Sequence, residues 1–564
     1  MDATCGGCQS VSAGCIPPLP LETKNTQMSQ SIAEFVYAHA KDHAQRTAIA
    51  SERTRVTYSE LARRVNNTAA FLLEQGVRRG DCVAALVGPG CEGFTLFLAV
   101  NAVGAIWLGL NPRYKYREME YAIKDSAARF LFFAREFRGR QYHSEVARLQ
   151  IACGSIEKTF CIDADERLGQ SVASVISQGA DTQVESLREA LSCGDRASLT
   201  AMLVYTSGSS GTPKGVLIPN RSMVRRTLNQ ISQLPMNDYP RVYNAYPMNH
   251  VGGVHWVSSY AMVSAGTVHF RENFDPEEVP DLVESEEINV LQFFPAMYQL
   301  LIDAPAYQPE KFRSVKWHFF SGAAISENLL SHVRSWGGQI ITSYGMSETC
   351  GSVTYGGPGM PDAMLADTIG KPVPPGEVRV VSTTGEVCRE GESGEMQVRA
   401  EFGMSAYLNR PEQTRDAFTD GGWFKTGDLA LVMSDGYLKF VGRLSEMFKS
   451  GGFNVYPREI ELVLESHPQV SLAAVVTRPH RVFGEVGAAF VVPKPTATLT
   501  IATLQAWCKE HLADYKVPKV FTIRQQLPML PIGKVDKFTL KAELAASPET
   551  ATASAATPSL KEAQ

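Results

Sequence analysis

The sequence predicts an α/β protein of more than one domain, and three observations carry that expectation. At 564 residues the chain is too long for one simple core. Through residue 350, apolar runs that read as buried strands alternate with stretches of helical spacing, the pattern of parallel sheets joined by crossover helices. From about residue 376 the texture turns to short alternating strands, and a further unit with its own helices begins near Gly442.

The elements follow in order. Residues 1–27 are rich in Cys, Gly, Pro and Thr and read as an unstructured tail. Ser31 opens a helix in which Ile32, Phe35 and Val36 share a face. Thr57-Tyr58-Ser59-Glu60 has capping-box spacing, and Gly76 closes the helix that it starts. Asp81 to Val87 reads as a buried strand. The most membrane-like run, Phe94 to Leu110, is interrupted by Asn101, Gly104 and Gly109. It falls short of the ~20 apolar residues of a spanning helix, so a buried helix running into a strand is expected. Trp317 to Phe320 is a strand that ends in the small residues Ser321-Gly322-Ala323-Ala324. Glu377 to Val381, Gly394 to Arg399 and Gly436 to Val441 alternate as strands of a small β subdomain. Helices are expected at Pro457 to Glu465 and Thr503 to Leu512, and the Ala/Ser/Thr/Pro-rich end past Leu544 reads as disordered.

Composition excludes several classes. With 44% apolar and 20% charged residues the chain is of ordinary globular type. A net charge of -5 without a long basic run argues against nucleic acid as a partner. The 11 cysteines are odd in number and scattered, which suits a reducing compartment. Cys5, Cys8 and Cys15 cluster, but no second pair or histidines follow to complete a zinc site. Met1-Asp2-Ala3-Thr4 lacks the positive start and apolar block of a signal peptide, so a cytoplasmic location without a transmembrane segment is expected.

Chemistry concentrates in a few stretches. Tyr205 ends an apolar strand, and Thr206-Ser207-Gly208-Ser209-Ser210-Gly211-Thr212-Pro213-Lys214-Gly215 follows. Hydroxyls, glycines and one ammonium cannot pack as core, but they make a concave site for a polyanion. The common P-loop pattern does not fit, because Pro213 stands where its second glycine belongs. In Ser343-Tyr344-Gly345-Met346-Ser347-Glu348 the tyrosine offers a flat face, the glycine permits close backbone approach, and the carboxylate can hold a hard cation. Trp423-Phe424-Lys425-Thr426-Gly427-Asp428 places a carboxylate after a tight Thr-Gly turn. Gly442 to Glu461 carries Arg443, Lys449, Gly451 and Gly452, and Leu527 to Lys537 carries Lys534 among apolar and glycine neighbours.

Together these motifs resemble the adenylate-forming enzymes, in particular their acyl- and aryl-CoA synthetase branch, from about Ser29 to Leu544. The resemblance implies a large domain, residues 28–441, of two parallel-type α/β subdomains plus a small β-barrel-like subdomain. A small mobile α+β lid would occupy residues 442–545, with tails at 1–27 and 546–564. It implies ATP, Mg2+ and coenzyme A as cofactors. Thr206 to Lys214 would cradle the triphosphate, Glu348 would hold the metal, and Tyr344, Gly322, Ala323 and Ala324 would line the adenine side. Asp428 would clamp the ribose hydroxyls, Arg443 would add a ribose or phosphate contact, and Gly451 and Gly452 would let the pantetheine arm pass. Lys534 would bridge the substrate carboxylate and the α-phosphate. Ser445 and Glu446 stand where the family usually has Lys-Asp at its hinge.

For the acid, the resemblance points to Met248 to Val254, Phe294 to Met297, Gly322 to Ala324 and Tyr344 to Thr349 as pocket walls, Gly322 and Gly345 among them. His250 matches a gate residue, beside Val251, with Gly252 and Gly253 leaving room. No aspartate lies between Tyr246 and His269 to hold a substrate amine, which argues against an amino acid. A hydrophobic aryl or medium-chain aliphatic acid is expected, with CoA as acceptor. An amine or a carrier protein as acceptor, and a homodimer, stay open at this point.

Overall fold

The computed structural model describes residues 31–163, 195–206, 213–373, 377–494, 497–529 and 535–546. Helix α1 (Ile32–Asp42) buries Ile32, Phe35 and Val36, the face its spacing predicts. Helix α2 (Tyr58–Glu74) begins at Thr57, whose hydroxyl accepts the Glu60 N–H at 3.2 Å. The other half of the capping box is replaced, since the Glu60 carboxylate takes Arg64 Nε at 3.0 Å one turn on. Gly76 follows at φ +95°, a left-handed stop that a side chain would strain.

Strand β1 (Cys82–Leu86), helix α3 (Cys91–Ala102) and strand β2 (Ile106–Leu110) form one crossover unit with parallel strands. The membrane-like run is thus a helix sealed inside the protein and the strand after it. Strand β3 (Thr200–Thr206) extends this sheet parallel to β2, but strand β4 (Lys214–Pro219) returns antiparallel to β3. The connection is too short for a crossover, so the chain can only turn back as a hairpin. Helix α4 (Asn220–Gln233) comes next.

The second sheet holds strands β5 (Val290–Phe293), β6 (Trp317–Ser321) and β7 (Gln339–Met346) in parallel. Strand β8 (Gly351–Gly356) returns antiparallel to β7, again because few residues connect them. Among the described residues the first sheet has seven strands and the second nine, so neither is built of parallel strands alone. Helix α3 joins them: Phe94 meets Phe270 of the second sheet at 5.7 Å, and Phe97 meets Trp107 of the first at 5.7 Å. These contacts belong to one apolar cluster that draws on both sheets.

Strands β9 (Trp423–Val432) and β10 (Leu438–Arg443) belong to a four-stranded antiparallel sheet with Val378–Val381 and Ser393–Arg399. The expected turn at Thr426-Gly427 is instead an irregularity inside β9. Gly427 sits at φ +71°, and the register slips opposite it between Glu395 and Gln397. A bulge of this kind re-aims the next side chain without ending the strand. Past residue 447 a separate sheet has a core around Phe448, Ile460, Leu504 and Phe521 on the face that helix α5 (Pro457–Glu465) covers, and helix α6 (Lys537–Ala546) packs Leu540 against Ala474, Val476 and Phe490 on the other. The helix expected over 503–512 runs Ile501–His511. No helix among the described residues is long and apolar enough to cross a membrane.

Candidate active site

The two ends of the polyanion segment meet where β3 and β4 pair, Thr206 opposite Lys214. Helix Tyr116–Ser126 and the stretch after Tyr407 fix its base: Tyr205 donates to Asp125 at 2.9 Å, Tyr121 to the Pro213 carbonyl at 2.8 Å, and Arg410 lies 3.3 Å from Asp125. Ser207, Gly208, Ser209, Ser210, Gly211 and Thr212 lie outside the described residues. So does Lys534, together with Cys5, Cys8 and Cys15.

From the second sheet, Glu348 reaches this hairpin. Its Oε1 accepts from the Thr206 hydroxyl at 3.5 Å and from the Tyr407 hydroxyl at 3.3 Å. Lys214 Nζ lies 5.0 Å over the ring of Tyr407, close enough for a cation–π contact. Burial pushes the Glu348 carboxyl above its usual range, and the Tyr407 hydroxyl and Arg443 oppose it. A cation here would restore the charged form. One carboxylate and one hydroxyl suit Mg2+, which takes few protein oxygens and completes its shell with phosphate and water. Among the described residues no group of three His, Cys, Asp or Glu offers a metal cage of its own.

The second half of the site is built on Asp428, which is 3% exposed. Tyr344 donates to Asp428 Oδ2 at 2.6 Å, and Arg443 Nε lies 3.2 Å from Oδ1, since β9 and β10 pair these residues directly. Tyr344 therefore does something the sequence reading did not assign to it. Its ring packs with Val353, Met396 and Leu438, and its hydroxyl holds the carboxylate. Burial and the neighbouring Asp428 push the phenol well above its ordinary range, so it stays a donor.

Several glycines are explained by backbone neighbours rather than by a ligand. A Cβ at Gly345 would collide with the Gly351 carbonyl of β8, so the close approach there is strand to strand. Gly252 and Gly253 lie in a π-helical turn, Gly252–Val257. A Cβ on Gly253 would collide with the Pro247 carbonyl, which corrects the expectation of open space at that residue. His250 Nδ1 accepts the Gly252 N–H at 3.0 Å, and Val251 is buried beside it. Phe294 stacks on Trp256 at 6.2 Å. Gly322 turns the chain at φ +80° just past β6, with Ala323 and Ala324 exposed after it. Ser343 Oγ lies 3.1 Å from Ser321 Oγ and 2.8 Å from Ser352 Oγ, tying three strand ends together. Ser347 is buried and Met346 half-buried. Lys449, Gly451 and Gly452 sit on a hairpin of the C-terminal unit, where both glycines have positive φ, +58° and +89°, between the paired Ser450 and Phe453. This two-residue turn accounts for them locally. Tyr407 was not singled out in the sequence, because a tyrosine ahead of Leu408-Asn409-Arg410-Pro411 carries no spacing signal of its own.

A hydroxyl, an ammonium and a cation-ready carboxylate at one end, with a fixed buried carboxylate at the other, define an enzyme that works on a nucleoside phosphate. The sequence matches the AMP-binding enzyme family over residues 36–408 and the AMP-binding enzyme C-terminal domain over residues 459–534. The chain belongs to that family. It is 32% identical to a feruloyl-CoA synthase of Amycolatopsis sp over 514 residues, 90% of this chain and 98% of that protein. It is 29% identical to an indoleacetate–CoA ligase of Aromatoleum aromaticum over 509 residues, 90% of this chain and 96% of the relative. The ATP-bound structure of MatB from Rhodopseudomonas palustris superposes with a TM-score of 0.81 at 26% identity, covering 92% of this chain and 99% of that one. The chain is an AMP-forming acid–thiol ligase of this family.

Proposed function

We propose that the enzyme converts a hydrophobic aryl or medium-chain aliphatic acid into its CoA thioester in two steps. A carboxylate oxygen of the acid attacks the α-phosphorus of ATP and the bond to pyrophosphate breaks. The CoA sulfur, its proton lost, then attacks the acyl carbonyl and AMP departs. The observation that carries this reading is the meeting of the Thr206 hydroxyl with the Glu348 carboxylate at 3.5 Å, beside Lys214, with Glu348 four residues past the Tyr344 whose hydroxyl holds Asp428. Lys214 and Thr206 bind phosphate oxygens, and Asp428 accepts from the ribose hydroxyls while Tyr344 and Arg443 keep it aimed. Mg2+, held by Glu348 with Thr206 close by, would neutralise charge on the phosphates. The names of the two relatives, a feruloyl and an indoleacetate enzyme, favour an aryl acid and CoA over an amine or a carrier protein.

Residues 442–545 act in this proposal as a lid that turns between the two steps, in the cytoplasm. Lys534 would sit over the reacting oxygens in the first step, and the Gly451-Gly452 turn would face the pantetheine arm in the second. Glu446, in place of the family's Asp, pairs with Lys537 at 2.6 Å, so the hinge segment is tied to the helix that follows Lys534. The test is pyrophosphate release with ATP, Mg2+ and a panel of acids, with and without CoA. Turnover should require one acid class and CoA, and Lys534→Ala should lower adenylation about 10²–10³-fold. A Lys534→Ala enzyme with full adenylation activity would sink the assignment.

A further inference from the structure

Helix α4 is buried on a polar face. Ser222, Arg226, Asn229 and Gln230 follow at intervals of four, three and one, which keeps them to one side of the helix, and all are shut from solvent. Arg226 Nε donates to the Thr349 carbonyl at 3.1 Å and the Phe402 carbonyl at 3.2 Å. Its two terminal nitrogens have no hydrogen-bond partner among the described residues. The same holds for both amide atoms of Asn229, for Gln292 Nε2 on β5 and for Trp256 Nε1. Gln230 donates to the other end of the Gln292 amide at 3.1 Å, which fixes the free nitrogen in place. Leaving one such buried group unpaired is costly, and more so when it is charged. Several together in one part of a fold therefore call for a ligand.

A run of contacts joins Arg226 to Trp256. Arg226 influences Tyr355 electrostatically, the Tyr355 ring lies 5.9 Å from Phe319, and Phe319 lies 5.2 Å from Trp256. His255 closes the other side, its Nε2 3.1 Å from the Cys350 carbonyl and its Nδ1 3.5 Å from Thr227. Burial lowers its pKa to about 4, so it brings no competing charge. A Cβ added to Gly351 would have room beside it, meeting nothing within 4 Å except the His255 ring, 3.8 Å away. Gly351 pairs with Met346, so this space adjoins the motif that carries Glu348.

The unpaired groups are mostly donors, a guanidinium and three other N–H groups against one amide oxygen. The geometry points to a specificity subsite for an oxygen acceptor at the far end of the acyl group, a second carboxylate or a phenolic oxygen, on an acid whose body lies against Trp256, Phe294 and Phe319. This deepens the ligase reading and rests on it. Arg226 and Asn229 are then specificity-determining residues, which reject acids whose distal end is a bare hydrocarbon. A site built to hydrogen-bond an oxygen discriminates strongly against a ligand that lacks it, because its own polar groups stay unpaired.

The test compares acids of one shape: 3-phenylpropanoate and its 4-methyl, 4-hydroxy and 4-carboxy derivatives, read by kcat/KM for pyrophosphate release and by thermal shift. The 4-hydroxy or the 4-carboxy acid should exceed the 4-methyl acid by at least about tenfold, and which of the two wins separates the phenol from the carboxylate. Arg226→Met should erase or invert the preference, and Arg226→Lys should keep part of it. If Arg226→Met fails to fold, Asn229→Leu carries the test, with a weaker preference expected. Equal turnover of the 4-methyl acid by the wild-type enzyme overturns the subsite and leaves the ligase reading intact, as does a preference that survives both substitutions. No turnover and no thermal shift with any of the four acids overturns the subsite as drawn, while the wider panel of acids with ATP and CoA tests the ligase reading separately.

Discussion

Asp428 shows how a residue is made into a clamp. Its carboxylate is almost wholly buried, and Tyr344 at 2.6 Å and Arg443 at 3.2 Å hold one oxygen each. The Arg443 side chain stays half exposed, so its own contribution is screened, while the Tyr344 bond is buried and short. A hydrogen bond to a charged group contributes ~1.5–3 kcal/mol. Tyr344→Phe should therefore raise the KM for ATP about 10–100-fold in pyrophosphate release, with little change in the melting temperature because the ring still packs. A KM within twofold of the wild type would mean that Asp428 holds its aim without the phenol.

At the scale of elements, the β7–β8 return shows what the sequence does and does not disclose. The apolar run Trp317 to Phe320 and the string Tyr344 to Glu348 are legible, because buried strands and chemistry-bearing turns have distinct compositions. The antiparallel sense of β8 is not, since the residues between the strands say nothing about direction until their shortness is weighed against a crossover. Gly345 was read as making way for a ligand, but the structure gives that space to the Gly351 carbonyl. Thr426-Gly427 was read as a turn, but hydrogen bonding on both sides keeps it within β9 as a bulge. Tyr407 and Arg226 escaped notice because tertiary contacts alone give them meaning. Gly345→Ala tests this account of β7–β8. The added methyl must push two paired strands apart, so stability should fall by ~2 kcal/mol or more in urea denaturation, with adenylation lost as Glu348 shifts. Unchanged stability with impaired ATP binding alone would restore the ligand reading of Gly345.

For the whole molecule, the large domain stores a pH dependence in its histidines. His255 sits between α4 and β8, and His318 lies inside the second sheet, its Nε2 donating to the Gly337 carbonyl at 2.9 Å. Both are fully buried, and desolvation lowers each from 6.5 to about 4, with the backbone carbonyl partner acting the other way. In the unfolded chain they return to the ordinary value, so between pH 6.5 and 4 the unfolded state binds more protons than the folded one. Stability must then fall as the pH drops through that window and level off below it, by ~3 kcal/mol for each histidine. Glu348 works in the opposite sense: its raised folded pKa means that the folded state takes up a proton first, which offsets part of the loss. His269, which burial lowers to about 4, adds to the loss, and Glu465, which burial raises, adds to the offset; the buried histidines leave a net decline. Urea midpoints measured from pH 7 to 4.5 should fall steadily below pH 6.5, and His318→Gln should flatten the slope by about one proton. A midpoint that stays level down to pH 4.5 would show that the folded chain lets these rings protonate, and with them the packing of α4 against β8 that holds the proposed acyl subsite.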